Sequence, residues 1–561
     1  MSASTTAAVG EERMTGIRSL SAASKRPLLL TLLFLFVFAA EFALGFYYAY
    51  TLNYTHSDAM SRVANAFYVL YSRDPHLAAI GFVWNPLPSL VDMLFLLAYP
   101  VLPSVATFGL AGVAMSSLFA AATASLLAAE ALRYGHGVFV GVSLALAYCL
   151  NPFIFLFGSN GLSDAAFNFF IMWTVMAFVR WFRDEKPFGL VTASFTLALA
   201  FWTRYEAVPF GAALCVGTLT ATLLVHRRMA EKPLEQRRWK YQSFRGEGTL
   251  VLLLSPVVYS GLLWILWNYL IMGNPLYFLN SEYSNVAQAG ILAMDSEFTS
   301  MVGSPKLALL KVLEKTAYYA VPLGAIALLR MLGGRLLRWD FIVLVLLFVS
   351  IPALQLLMLL KGTSFAWFRY FMYGFPITVA WLPYEMGQIR KWKKAGRLLL
   401  LASLVGSAVL LTYAMSKPEI APDEHAYITT SGHLEEQRIE QSIADYFNEN
   451  LPDAVIMMDS YSAYRIILKS GRPERYVITS DRIFRKAMSD PHAYGIDYIL
   501  LPRPTKESDG SAINVTYPNL YANGAEWCEL YREFGDNRWR LYKVTGPTGY
   551  GLHKKGGVGD G

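Results

Sequence analysis

Ionisable side chains are scarce along this chain, and many of them stand at the edges of apolar runs as carboxylates and guanidiniums. "LNYTHSDAMSRVANAFYVLYSRDPH" (52–76) presents Asp58, Arg62, Asp74 and His76 straight after a long, almost uncharged stretch. "FGSNGLSDAAFNFF" puts Asp164, with Ser163 beside it, at the mouth of an apolar helix. "AFWTRYEAVPF" holds Arg204 and Glu206 in a turn too short to move far from a bilayer surface. "NPLYFLNSEYSN" sets Glu282 among tyrosines, and "KGTSFAWFRYFMYGFP" has Lys361 outside and Arg369 slightly inside the next helix. An ionisable group at membrane depth is costly, so each needs a partner or a task. Arginines there can hold and neutralise a phosphate, and a carboxylate can take the proton of an attacking hydroxyl.

Each residue also has a plainer reading. At helical spacing Asp58, Arg62 and Asn65 share one face, while Val63, Phe67 and Leu70 share another. That predicts an interfacial helix, with Asp58 and Arg62 as an i, i+4 pair on its polar side. Arg204 and Glu206 fit a local ion pair. Asp164 fits a helix N-cap or N-terminal charge, and Arg369 fits a side chain that snorkels to the interface.

The elements that must position these groups follow from composition. Of 561 residues, 55% are hydrophobic and only 16% charged, too few to clothe a water-soluble body of this size. Mean hydropathy is +0.36. Many apolar runs approach the roughly 20 residues that span a bilayer as a helix. The net charge of +7 falls in short basic blocks between these runs, at 25–26, 226–245, 333–338 and 389–397. Cytoplasmic loops collect Lys and Arg this way, whereas nucleic acid would call for a continuous basic stripe. The reading excludes nucleic acid as a partner.

With the basic blocks as inside markers, the first run (27–50) leaves a cytoplasmic segment, 1–26. It is too long for a signal-peptide core and no cleavage site follows. Further crossings are expected at 106–132, 138–157, 162–182, 188–202, 207–225, 249–272, 307–332, 340–360, 366–386 and 398–416. The proline-rich "NPLPSLVDMLFLLAYPVLP" (85–103) reads as a re-entrant or surface-lying helix. The predicted fold is thus an α-helical polytopic membrane protein of eleven crossings over 27–416, with long outer loops 51–105 and 273–306. A soluble α/β domain follows at 417–561: "EEQRIEQSIADYFNEN" reads as helix, and "AVIMMD", "RYVITS" and "DYILLP" read as strands. It carries no nucleotide-binding Gly-rich loop, and is expected to recognise an acceptor or cap the outer face. The sequons at Asn53 and Asn514 are expected to stay unmodified.

A lipid-linked phosphosugar would suit the outer residues, with its phosphate at the surface, its sugar in water and its tail between apolar helices. The arrangement resembles the GT-C superfamily of polyprenyl-phosphate-sugar glycosyltransferases, in the branch of protein O-mannosyltransferases and lipid A aminoarabinose transferases. The resemblance covers 27 to about 386 and rests on "SDAMSR", "WNPLP", the outer turn with Asp164, "TRYEA" and the second long outer loop. It implies a transferase at the extracytoplasmic face of a plasma membrane, moving a sugar from a polyprenyl-phosphate donor to a glycan, lipid or protein acceptor with inversion. Asp58 would be the general base. Relatives carry a second acid where this chain has Ala59, and a basic group where it has Asn85. That shifts phosphate binding to Arg204 and Arg369. Asp164, Glu206, Glu282, Asn85 and His76 would position sugar or acceptor. Some relatives use a divalent metal such as Mg or Mn, and Asp58, Asp164 and Glu282 could supply oxygen ligands. The alternatives are a transporter or flippase of lipid-linked sugars, and a non-catalytic scaffold.

Overall fold

The computed structural model describes residues 26–223, 239–281, 296–390, 393–431, 434–505 and 511–548. Among these, six helices are long and apolar enough to cross a membrane: Arg26–Thr51, Leu110–Arg133, Asp164–Asp184, Gln242–Met272, Trp339–Leu360 and Lys393–Met415. Two bent pairs raise the number to eight if each is one span. The protein has the architecture of a polytopic helical membrane protein with a small C-terminal sheet.

The bent pairs are Val138–Cys149 with Pro152–Ser159 (71°) and Pro305–Ala317 with Val321–Leu332 (83°), where unbroken crossings were expected. Proline explains the first break. Pro152 has no N–H to continue the helix, and Asn151 starts a new one by accepting the Phe153 N–H at 3.1 Å. Pro322 stands in the first turn of the second half of the other pair. Two further expected crossings are short. Pro187–Thr203 has 17 residues and Gly374–Gln388 has 15, while Ala207–Leu223 is described up to the last residue before 224–238, which lie outside the described residues. Seventeen residues rise about 26 Å, short of a hydrocarbon core of roughly 30 Å. Gly374–Gln388 starts later than the sequence predicts. A 3-10 turn, Phe368–Phe371, precedes it and carries Arg369, which is therefore not inside the helix.

The first outer loop folds back on the bundle. Of water and protein, the two settings open to the polar side of its helix Ser57–Tyr71, Arg62 takes protein: it is buried, with Val63, Ala64, Ala66, Phe67 and Tyr68. The stretch 85–103 forms only the ten-residue helix Leu87–Leu96, too short to cross. It packs on Ser57–Tyr71, and the Tyr71 hydroxyl donates to the Leu96 carbonyl at 3.0 Å.

The C-terminal domain is a five-stranded sheet flanked by helices, including Leu434–Asn450 and Ser460–Lys469. The three expected strands form as β1 (Ile456–Met458), β2 (Tyr476–Ile478) and β3 (Tyr498–Pro502). Two more, β4 (Cys528–Phe534) and β5 (Trp539–Val544), complete the order β2-β1-β3-β5-β4. The pairs β1–β2 and β1–β3 are parallel, and β3–β5 and β4–β5 antiparallel. The domain shares a core with the outer loop: Phe67, Tyr68, Leu96 and Ala106 cluster with Ile443, Phe447, Ile466 and Leu468.

Candidate functional site

The site begins where the first long helix hands over to the loop. His56 caps the Ser57–Tyr71 helix, its Nδ1 accepting the Asp58 N–H at 3.2 Å. This puts Asp58 in the first turn, where the exposed N–H groups favour an anion. The partner of Asp58 is not Arg62 but Arg369, whose guanidinium donates to Oδ2 at 2.8 Å. Arg369 is 3% exposed and the Asp58 side chain 35%, so the pair has one solvated side. Burial pushes the Asp58 carboxyl up, but the Arg369 charge and hydrogen bond, together with His56 and Arg62, bring it down to about 2. His56 Nε2 lies 3.3 Å from Arg369. Burial and that same charge hold the imidazole below its ordinary value, hence neutral near pH 7.

A second cluster adjoins the first. Arg204, at the C-cap of Pro187–Thr203, donates to Glu206 Oε1 at 2.7 Å and Asp164 Oδ1 at 3.3 Å. It also reaches the Ser163 hydroxyl at 3.3 Å. Asp164 is the first residue of its helix and fully buried, and the Tyr373 hydroxyl donates to its Oδ1 at 2.6 Å. Asp164 Oδ2 has no hydrogen-bond partner, nor have the Nε atoms of Arg204 and Arg369. The Tyr370 ring joins the clusters, with the Arg204 guanidinium 5.8 Å and that of Arg369 5.7 Å from its centre.

Arg62 forms the third part. It is buried, donates to the Asn85 carbonyl at 3.3 Å and stacks 4.7 Å from the Trp84 ring. Among the described residues no carboxylate lies within ion-pairing distance of it. Burial and the neighbouring Arg204 charge press it down to about 10, still cationic at neutral pH. A buried cation with one carbonyl acceptor is expensive to keep, and a bound anion would relieve it. Beneath it lies Asp92, fully buried, with neither oxygen hydrogen-bonded.

The structure therefore brings together Asp58, Arg369, Arg204, Asp164 and Glu206 from turns far apart in the chain. Asn85 lies at the edge: its side-chain Nδ2 donates to the Phe201 carbonyl at 2.5 Å, and its backbone carbonyl accepts from Arg62. His76 does not join. It follows the far end of the Ser57–Tyr71 helix, bound to the Asp74 carbonyl at 2.5 Å, while Asp74 pairs with Arg482. Glu282 lies outside the described residues, and with it the proposed oxygen trio for a metal. Among the described residues no three such ligands gather. The sequence reading missed His56, Tyr370 and Tyr373, which look like ordinary residues of aromatic membrane-edge stretches. Its plainer reading paired Arg62 with Asp58 because the two stand one turn apart.

An apolar groove runs beside the site, lined by Leu44, Tyr48, Leu150, Pro152, Phe155, Leu156 and Ile428. Tyr48 on its wall stacks on Tyr427 at 5.0 Å, and the Tyr427 ring is 6.4 Å from that of His56. Comparison with protein-family models and with curated proteins returns no match for this chain.

Proposed function

We propose that the protein is a membrane glycosyltransferase, moving a sugar from a polyprenyl-phosphate donor to a hydroxyl-bearing acceptor at the extracytoplasmic face of a plasma membrane. The acceptor is a protein, a lipid or an envelope glycan. The observation that carries this reading is the buried Arg62, which pairs with no carboxylate among the described residues, beside Arg204 and Arg369. Three guanidiniums converge, two of them held by Asp58, Asp164 and Glu206 and the third, Arg62, left to meet an anion such as a phosphate. The apolar groove offers a path for a lipid tail.

In this reading the acceptor oxygen attacks the sugar carbon as the bond from that carbon to the phosphate oxygen breaks. The hydroxyl proton passes to Asp58, and the leaving lipid phosphate takes its charge onto the arginines. Phosphate binding draws Arg369 off Asp58, so the carboxylate becomes a stronger base once the donor is seated. Glu206, Asp164 and Tyr373 keep Arg204 in place and offer the sugar an open oxygen at Asp164. Inversion at the carbon, eleven crossings with the tail outside, and any use of a divalent metal belong to the same proposal.

The test is transfer by purified, reconstituted protein from a panel of polyprenyl-phosphate pentoses and hexoses, with Asp58→Asn alongside. Loss of transfer in a variant that still melts cooperatively is expected; full transfer would remove Asp58 from the mechanism. A transporter of such lipids is the second reading, favoured by Glu41. This carboxyl is fully buried within the first long helix, with neither oxygen hydrogen-bonded. Vesicles that move the labelled lipid between leaflets without forming product, and lose this in Glu41→Gln, would establish it.

A further inference from the structure

After the last long helix, the chain returns across the site. The helix Pro422–Thr429 is wedged between the end of the first long helix and the His56 turn. The Tyr48 hydroxyl donates to the Ile428 carbonyl at 3.2 Å. The Tyr427 ring lies 5.0 Å from Tyr48, 5.4 Å from Tyr54 and 6.4 Å from His56. The first turn of this helix carries Asp423 and Glu424. Asp423 adds to the negative field at both His56 and Arg369. Glu424 is 3% exposed, and neither of its oxygens is hydrogen-bonded to another residue.

The groups facing Glu424 come from several elements. Arg369 and Lys315 act on it with positive charge and Asp423 with negative, and Tyr319 feels the charge of Glu424 in turn. The cations are already engaged. Arg369 holds Asp58, Lys315 donates to the Ala366 carbonyl at 2.8 Å, and the Tyr319 hydroxyl donates to the Phe368 carbonyl at 3.1 Å. A carboxyl nine-tenths buried at a charged cluster, with nothing to bind, is placed to exchange a proton or to bind a ligand hydroxyl.

We propose that Glu424 is the second acid–base carboxyl of the site, supplied by the tail segment: the proton that Asp58 takes from the acceptor hydroxyl is passed to Glu424. The inference rests on the transferase reading above. The balance is simple. The hydroxyl O–H bond breaks as the new carbon–oxygen bond forms, Asp58 holds the proton briefly, and Glu424 keeps it until solvent removes it. Energetics run the same way. Asp58 is held near 2, whereas burial and the Asp423 charge raise Glu424 to about 7. A proton moves downhill between two such groups, and an acceptor poised near the working pH is the efficient kind.

The experiment is the pH profile of transfer by the full-length protein, with Glu424→Gln and Glu424→Asp. Glu424 must be ionised to receive the proton, so wild-type turnover should rise through a limb near pH 7. Glu424→Gln should lose that limb and about a hundredfold in kcat, the scale of one acid–base group. Glu424→Asp should restore the limb, which a merely structural carboxyl would not do. Binding of farnesyl phosphate, followed by tryptophan fluorescence, should be the same in all three. Transfer by Glu424→Gln with an unchanged limb and rate overturns this role and leaves the transferase reading standing. Wild-type protein that neither binds farnesyl phosphate nor transfers any sugar overturns both.

Discussion

At the residue scale the site is a problem of charges kept in a poor solvent. Asp92 shows the cost directly. It is fully buried without a hydrogen bond, and burial lifts it to about 8 against the ordinary 3.8. The folded chain therefore binds a proton that the unfolded chain has released, and stability falls as pH rises from about 4 to about 8. Asp92→Asn should remove that fall. It should be as stable as wild type near pH 3 and more stable at pH 9, by at most about 6 kcal/mol. Equal pH dependence of the two proteins would show that the carboxylate is solvated. Arg62 makes the opposite trade. Arg62→Gln should raise stability by shedding a buried cation, yet weaken farnesyl phosphate binding about 10- to 100-fold, the worth of one charged hydrogen bond. Asp58, Asp164, Arg204, Glu206 and Arg369 were legible because an ionisable residue at the edge of an apolar run stands out. Which of them would pair was not. Asp58 and Arg369 are 311 positions apart, and the nearer Arg62 offered a pairing by local spacing that tertiary packing overrode.

At the element scale, the site depends on backbones that touch. A Cβ at Gly45 would lie 2.1 Å from the Ser159 carbonyl oxygen, and one at Gly158 would lie 2.1 Å from Glu41. The first long helix and the Pro152–Ser159 helix thus meet through glycines, as membrane helices often do. Gly45→Ala meets backbone, which cannot swing aside. It should cost about 1–3 kcal/mol, read as a lower melting temperature in detergent, and should loosen the Tyr48–Tyr427 contact beside the site. An unchanged melting point would mean that the two helices separate readily. The positions of most helices were legible because apolar runs and basic blocks mark them. Their breaks were not. Pro152 and Pro322 lie within runs apolar enough to read as unbroken, and a proline there starts a new helix only when its neighbours can cap and pack it. The two antiparallel strands escaped notice for another reason. β4 reads "CELYREF", with five exposed central residues, and so lacks the apolar run of a buried strand.

At the scale of the whole molecule, the C-terminal domain clamps the turn that carries the site. Asn53 has φ of +50°, a conformation asparagine tolerates better than most residues, and its side chain accepts from Lys469 Nζ at 2.7 Å. Thr55 is held from both sides. Gln437 accepts its N–H at 3.2 Å and donates to its carbonyl at 3.1 Å, and Arg465 donates to the same carbonyl at 3.1 Å. His56 and Asp58 follow within three residues, so the position of Asp58 is set by a domain that begins hundreds of residues later. The membrane bundle supplies Arg369, and the clamp supplies the register at which Asp58 meets it. Gln437→Ala combined with Arg465→Ala leaves Thr55 to water, and each lost bond weakens the clamp by about 1 kcal/mol. The bundle's own contacts are untouched, so the protein should still fold and bind farnesyl phosphate. Turnover should fall by about a hundredfold, because misplacing a reacting group by about an ångström has that effect. The split between intact lipid-phosphate binding and lost turnover separates clamping from general destabilisation. Equal turnover in the double variant would mean that the Asp58–Arg369 pair holds its own geometry and the domain acts only as a cover.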